Sequence, residues 1–444
     1  MNAPEFRVLP DIQSIVDPRR IAVVGAGIAG LTSAWLLSAR DRVTLYEAGA
    51  CAGGHTNTVD VALDGVTAPV DTGFLVFNDR TYPNLIAIFE ALGVRWAESD
   101  MSFSVRADDE NLEWCGSSLA TVFAQRSNLA RPAFWAMLRD ILQFNREATA
   151  LVAGGAPADG TVAGYLERHG YGRAFRDWYL VPMAAAIWSM PASRILDFPL
   201  ATFLRFCHNH GLLQVTDRPR WRTVLGGGRD YVRRMLPAIH DLRLATPVAR
   251  VARDGEGATV TDAFGRAERF DEVILACHSD QSLALLADAT EAESALLGAV
   301  RYQPNRAILH TDADFLPRRP AAWAAWNYTA GRDTGGERGV CVSYLINRLQ
   351  PLPFRQPVIV TLNPLREPAP ERVIAEFDYA HPLFDQAAID AQTRAAQVQG
   401  LNHTWFAGAW LGYGFHEDGV KSALAVVERL GAEVPWTAAR ELSA

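Results

Sequence analysis

Residues 20–30 read Arg20-Ile21-Ala22-Val23-Val24-Gly25-Ala26-Gly27-Ile28-Ala29-Gly30, an apolar run that breaks on a glycine and resumes as a helix start. A short run of this kind reads as a buried parallel strand, and the helix behind it extends from about Ala29 to Ser38. A second strand, Arg42 to Tyr46, completes a βαβ unit. The turn has the form GxGxxG. Gly25 makes the tight turn, Gly27 lets a pyrophosphate approach the backbone beside Ile28 and Ala29, and Gly30 lets the helix lie close on the sheet. Glu47 ends the second strand 17 residues past Gly30, where a carboxylate can accept hydrogen bonds from ribose hydroxyls. The chain therefore opens as a doubly wound α/β sheet with a seat for a dinucleotide.

The next segment separates two kinds of dinucleotide. Glu47-Ala48 leads to Gly53-Gly54-His55 and then to Asp71-Thr72-Gly73-Phe74. A nicotinamide site has no need of a second glycine pair just after the ribose carboxylate. An extended FAD does need further backbone amides along its pyrophosphate and ribityl chain. The expected cofactor is FAD, with Ala48, Gly53, Gly54, His55, Thr72, Gly73 and Phe74 added to its contacts.

From about Tyr82 to Trp221 the apolar spacing becomes helical, as in Phe134, Met137, Leu138, Ile141 and Leu142. Strand-like segments return at Thr246 to Ala252, Ala258 to Thr261 and Glu272 to Ala276, and a mixed, aromatic-rich stretch runs from Arg301 to about Gln392. The chain closes on a strand, Thr404 to Ala407, and a helix, Gly419 to Leu430. The expected fold is α/β: a Rossmann-type FAD-binding domain of residues 1–80, 221–290 and 400–444, interrupted by a mixed α+β substrate-binding domain of residues 81–220 and 291–399.

Composition narrows the partners. A net charge of −8 argues against nucleic acid, since phosphate recognition needs a basic face. Between Thr121 and Arg222, however, twelve arginines face seven acidic residues, so this part is locally +5. The five cysteines form no CxxC pair and no Cys/His cluster of metal spacing, so no metal is expected. Residues 1–20 lack an apolar core, and no stretch approaches the roughly 18 apolar residues of a spanning helix. The expected location is cytoplasmic.

Beyond the fingerprint, the segments LGGGRDYVRRM (225–235), ATPVARVARDG (245–255), EVILACH (272–278) and WFAGAWLGYGFHEDGVKSAL (405–424) are distinctive. With them the sequence resembles the flavin-containing amine oxidase and phytoene desaturase superfamily over nearly its whole length. The resemblance implies a glutathione-reductase-2-like FAD domain, with the Val248 strand at the adenine and Gly408, Ala409, Asp418, Gly419 and Val420 at the pyrophosphate and flavin. The last helix would then aim the Gly419 and Val420 amides at flavin N1/O2, where its partial positive end stabilises charge gained on reduction. Three departures stand out. Lys421, the only lysine, sits inside this helix and cannot fill the active-site lysine position of the amine oxidases. His55 replaces the usual arginine after the glycine pair. The last strand has no cysteine for a thioether, which implies non-covalent FAD, with a histidyl link as the alternative.

The candidates for chemistry are His416, just ahead of the last helix, with Tyr413 and Glu417 beside it. His208, His210, His240, His278, His310, His381 and His403 are scattered and read as structural. The aromatics Phe134, Trp135, Trp178, Tyr179, Ile187, Trp188, Phe203 and Phe206 read mainly as core, with a tunnel for a long apolar substrate as the alternative. Arginines nearby suit an anionic head or an anionic membrane surface.

AAIWSMP (185–191), VSYLINRLQ (342–350), VTLNP (360–364) and LGYGFHEDG (411–419) are similar to a bacterial subgroup encoded beside cyclopropane-fatty-acid-synthase-like methyltransferases. That subgroup includes acyl-chain desaturases of the furan and methyl-branched fatty acid pathways, so the resemblance implies desaturation of a (methylated) phospholipid acyl chain, with a lipid methyltransferase as partner. The locally basic segment in an acidic chain suits peripheral association with the inner face of the cell membrane. Two rivals remain: an amine or amino-acid oxidase, and a flavoprotein that serves a lipid methyltransferase without turnover.

Overall fold

The computed structural model describes residues 17–155, 159–188, 192–214, 218–336 and 338–436. The opening stretch folds as its pattern requires: strand Arg20–Val24, Gly25 at φ +101°, and a first helix over Ile28–Leu37. Arg20–Val24 is the central strand of a five-stranded parallel sheet. The order across it is Asp241–Arg243, Arg42–Tyr46, Arg20–Val24, Glu272–Leu275 and Thr404–Phe406.

Successive strand residues face opposite sides, and both sides are covered. Ile21 and Val23 pack beneath the first helix and the C-terminal helix His416–Arg429. Ala22 and Val24 pack against an antiparallel meander, Val248–Asp254, Gly257–Asp262 and Ala267–Phe270, and nearby helices. A strand buried on both faces must be continuously apolar, which is why this run was legible.

A second unit centres on a seven-stranded sheet ordered Val373–Leu383, Arg301–His310, Ile359–Leu362, Arg338–Leu345, Trp326–Arg332, Phe103–Ala107 and Leu112–Cys115. Its core is shared with helices Pro132–Ala153, Val181–Trp188 and Leu200–Asn209. No helix among the described residues is long and apolar enough to cross a membrane.

Three features depart from the sequence expectation. Phe103–Ala107 and Leu112–Cys115 are strands within a region read as helical, because Phe103–Ala107 pairs in parallel with Trp326–Arg332. Helix Pro83–Leu92 sends Leu85, Ile88 and Phe89 into the core beneath the parallel sheet, and Gln386–Arg394 adds Ala388 and Ala391 to the opposite face. Both segments thus pack with the first unit rather than the second. The last helix begins at His416, not Gly419, because Asp418 accepts the Phe415 amide proton (3.0 Å) and closes a cap.

Candidate cofactor and active site

Placing a Cβ on each fingerprint glycine separates two roles. At Gly25 it would fall 2.9 Å from the Ala276 carbonyl oxygen, and at Gly30 1.8 Å from the Gly25 oxygen. These two glycines serve the turn and the close approach of helix to sheet. At Gly27 a Cβ would meet no atom within 4 Å, since that side opens onto a cleft. The first helix starts there with no side-chain cap and no acid in its first turn. Uncapped amides at a helix start, backed by the helix dipole, form an anion seat.

Glu47 is held from two directions: Oε2 accepts from the Ala26 amide (2.8 Å) and Oε1 from the Gly49 amide (2.7 Å). Each carboxylate oxygen keeps acceptor capacity. Gly53 donates to the Ala26 carbonyl (2.8 Å), and a Cβ on Gly54 would lie 3.2 Å from the Gly27 Cα, so the second glycine pair rests against the fingerprint. At Gly73 a Cβ would lie 2.1 Å from the His55 oxygen, which accepts from the Phe74 amide (2.8 Å). Thr246 donates to the Glu47 carbonyl (2.8 Å), bringing Val248 to the same end.

Of the expected contacts, Gly25, Gly27, Ile28, Ala29, Glu47, Ala48, Gly53, Gly54, His55, Thr72, Gly73, Phe74, Val248, Gly408 and Ala409 border this one cleft. Its free volume of about 720 Å³ lies in the upper part of the ~300–1,000 Å³ range of cofactor and ligand sites. An open glycine face, an uncapped helix start and a fixed carboxylate in one continuous cleft fit an extended dinucleotide.

The expectations for the last helix need correction. The Gly419 amide is engaged by the Phe415 carbonyl (3.1 Å), and a Cβ on Gly419 would lie 2.7 Å from Ile28 Cγ2. Gly419 is therefore a packing contact between the first and last helices, and Val420 is fully buried in the core beside it. Neither amide is free to face a flavin, because the helix starts a turn earlier. Asp418 is the cap described above, and burial pushes its carboxyl up to about 6.

The three candidates for chemistry do not form one group. Glu417 accepts from the Asn84 amide (3.2 Å), the Asn84 side chain (2.7 Å) and the Leu85 amide (3.0 Å). It caps helix Pro83–Leu92, whose own N-cap, Tyr82, supplies no side-chain bond. Tyr413 borders the cleft, with its ring 5.6 Å from Phe206. His416 also borders it, stacked on Phe74 at 3.7 Å, with Nε2 bonded to the Thr56 hydroxyl (2.9 Å) and near the Tyr231 hydroxyl (3.3 Å). Burial pushes the His416 imidazole down to about 3, so it is neutral near pH 7.

The histidines read as scattered are partly gathered. His278 and His381 border the cleft with His55: His55 lies 5.2 Å from His381 and 6.3 Å from His278, and Tyr379 stacks on His55 at 5.0 Å. The only sequence signal for this was position, since each follows a strand end, a glycine pair or an alternating run. His210 joins the far end of the cleft. Of the eight aromatic and aliphatic residues weighed as a tunnel, Ile187, Trp188 and Phe206 border the cleft. Phe134 and Phe203 are core, and Trp135 is half exposed. Ser189, Met190 and Pro191 of the AAIWSMP segment lie outside the described residues.

Residues 28–430 match the family of flavin containing amine oxidoreductases. Over 326 residues the chain is 29% identical to carotenoid phi-ring synthase of Streptomyces griseus, covering 68% of this chain and 60% of that protein. A 62-residue stretch, 14% of this chain and 11% of the relative, is 56% identical to hydroxyneurosporene desaturase of Rubrivivax gelatinosus. The chain thus spans less than two thirds of these relatives' length. Among solved structures, the CLA-producing fatty acid isomerase from P. acnes shares the fold with a TM-score of 0.64 at 14% identity, over 94% of this chain and 99% of that one. The chain belongs to the flavin containing amine oxidoreductase family, and its cofactor is FAD.

Proposed function

We propose that this protein is an FAD-dependent oxidoreductase that desaturates a long apolar chain, specifically a methylated fatty acyl chain of a phospholipid. The observation that carries the proposal is the far end of the cleft. It continues from the fingerprint into walls made by Met101, Ile187, Trp188, Phe206, Trp326 and Phe384, and Glu47 is the one Asp, Glu, Arg or Lys among the described lining residues. Bound FAD, held non-covalently, would accept a hydride from one substrate carbon while a proton leaves the neighbouring carbon to a base or to water, and O2 or another acceptor would take the electrons from the reduced cofactor. The chain's part is to bind and orient a hydrocarbon segment and to exclude water. Phe415 stacks on Phe206 at 5.3 Å and His416 on Phe74, which fixes the wall between the two ends. His210, pushed down to about 4 by burial, and neutral His416 leave this end uncharged at pH 7, as an alkyl chain requires.

Access to a membrane-borne substrate is supported by one face of helix Pro132–Ala153. Trp135, Arg139, Leu142 and Arg146 are exposed at spacings of four, three and four residues, while Phe134, Met137 and Phe144 are buried opposite. Leu119 and Leu129 are exposed nearby, and the Trp135 indole donates to the Leu129 carbonyl (3.0 Å). The neighbouring acid Asp140 is buried and paired with Arg139 (2.8 Å), so the groups exposed on the outer face are the Trp135 and Leu142 side chains and the guanidiniums of Arg139 and Arg146. That combination suits an anionic phospholipid surface, on the cytoplasmic side of the cell membrane.

Amine oxidation is the rival within the family. Lys421 is exposed on the last helix and does not border the cleft, so no lysine reaches the reaction space. Anaerobic mixing of the yellow protein with vesicles of methylated phospholipids should bleach the oxidised-flavin absorbance. Amine-dependent peroxide formation without bleaching by lipid would overturn the proposal in favour of that rival. Inertness toward both would leave a non-catalytic partner of a lipid methyltransferase.

A further inference from the structure

FAD brings a doubly negative diphosphate into the cleft, yet no arginine or lysine is found among the described residues that border it, and Glu47 there is an acid. Three histidines stand in their place, each from a different element. His55 follows Gly54, whose Cβ would lie 3.2 Å from the Gly27 Cα at the anion seat. His278 follows Cys277, whose backbone nitrogen is 3.2 Å from the Cβ position of Gly25. Two of the three are thus one residue away from backbone that touches the fingerprint. His381, in strand Val373–Leu383, lies 5.2 Å from His55, and its Nδ1 accepts from the Asn305 side chain (2.8 Å). His55 Nε2 is buried with no hydrogen-bond partner, an uncommon state for a buried polar atom and one that calls for an explanation.

We propose that FAD binding draws a proton onto the His55, His278 and His381 cluster, so that solvent supplies the cation that a diphosphate site otherwise takes from arginine or lysine. The proposal rests on FAD as the cofactor. Without an anion, burial and mutual proximity hold His55 down at about 3, burial holds His381 at about 4, and His278 is lowered as well. An opposite charge within about 4–6 Å favours the protonated form. The other titratable groups facing the cluster are Tyr379 stacked on His55, Tyr302 stacked on His278, and Asp280 and Cys277 beside His278. His416 also acts on His55, and Glu47 lies across the fingerprint. Tyr379 and Tyr302 are held above their usual values, as is the Cys277 thiol, so none of these three competes for the charge near pH 7. Like charges repel, so the cluster takes one shared proton rather than three.

The test uses the full chain, stripped of FAD, in titration calorimetry at pH 7 in two buffers of different ionisation enthalpy. FAD should take up about one proton per molecule bound, and its affinity should fall about tenfold per pH unit between the free and the bound-state values of the cluster, levelling off above the bound-state value. ADP-ribose, which has the same diphosphate but no flavin, should also draw a proton, and riboflavin should draw none. His55→Arg should bind FAD with little dependence on pH. FAD binding without proton uptake overturns the inference, as does equal uptake with riboflavin. Failure of FAD to bind the wild-type chain would instead overturn the cofactor assignment and take the inference with it.

Discussion

Glu417→Ala separates a cap from a catalyst. In the folded protein this carboxylate accepts two backbone amides and one side-chain amide from the start of helix Pro83–Leu92, and it is 3% exposed. Removing it leaves the Asn84 and Leu85 amides without their acceptor. A charge-assisted bond contributes about 1.5–3 kcal/mol and a helix cap about 0.5–2 kcal/mol. Part of that loss is offset, because burial already raises the Glu417 pKa and so disfavours the ionised form. A net loss of about 2–4 kcal/mol is expected, which is a drop of about 2–4 °C in melting temperature for a chain of this size. Glu417→Gln keeps one acceptor oxygen and should lose about half as much. Thermal unfolding followed by flavin fluorescence measures the first quantity, and anaerobic reduction of the remaining holoprotein measures the second. The reduction rate should stay within about threefold of wild type, since a positioned acid or base contributes about 10²–10⁴. An unchanged melting temperature with a hundredfold slower reduction would refute the cap and return Glu417 to the chemistry.

Gly27→Glu should yield a folded, colourless protein, because the new side chain enters open cleft space and brings negative charge to the anion seat; absorbance at flavin wavelengths checks it. Glu47→Ala should weaken FAD binding by about 1.5–3 kcal/mol, read by fluorescence titration. Stability of the FAD-free protein should fall as pH drops from about 6.5 to 4.5: without FAD, His55, His210, His278, His310, His381 and His416 all have depressed folded-state values, so the unfolded chain binds protons first. Asp71 and Asp418, raised to about 6, and Glu417, also raised, act in the opposite sense but are fewer, and a melting temperature that rises on acidification would contradict the balance. Co-sedimentation with anionic vesicles should decrease with salt, since exposed charges are screened within about 10 Å at 0.1 M, and should be lost in Trp135→Glu/Arg139→Glu; binding indifferent to both would refute the membrane face.

The sequence was most legible where local rules decide the outcome. A strand buried on both faces, a glycine turn and a helix start lie within residues 20–30, and each leaves its mark in neighbouring positions. The C-terminal helix was legible as a helix but misplaced by three residues, because its N-cap is Phe415 and the polar member of the cap, Asp418, comes three residues inside. Strand Phe103–Ala107 could not be read because its partner, Trp326–Arg332, lies more than two hundred residues away. The same holds for His55, His278 and His381, which have no spacing in common and meet only because a parallel sheet and a second, mixed sheet end at one cleft.

Helix Pro132–Ala153 shows a different limit. Its apolar spacing identified a helix but took Leu142 into the same stripe as Phe134 and Met137, whereas Leu142 is 61% exposed and shares its face with Trp135 and two arginines. Periodicity detects an apolar stripe but cannot tell whether the stripe is wide enough to serve two surfaces at once. An apolar residue that the fold leaves in water has a cost of roughly 1.5–3 kcal/mol in forgone burial. Here that cost falls on a tryptophan and a leucine set among cations, a pairing that regains burial at a lipid interface and has no such compensation in water. The position at which the helical pattern and the fold disagree is therefore the position where an external surface has to be considered.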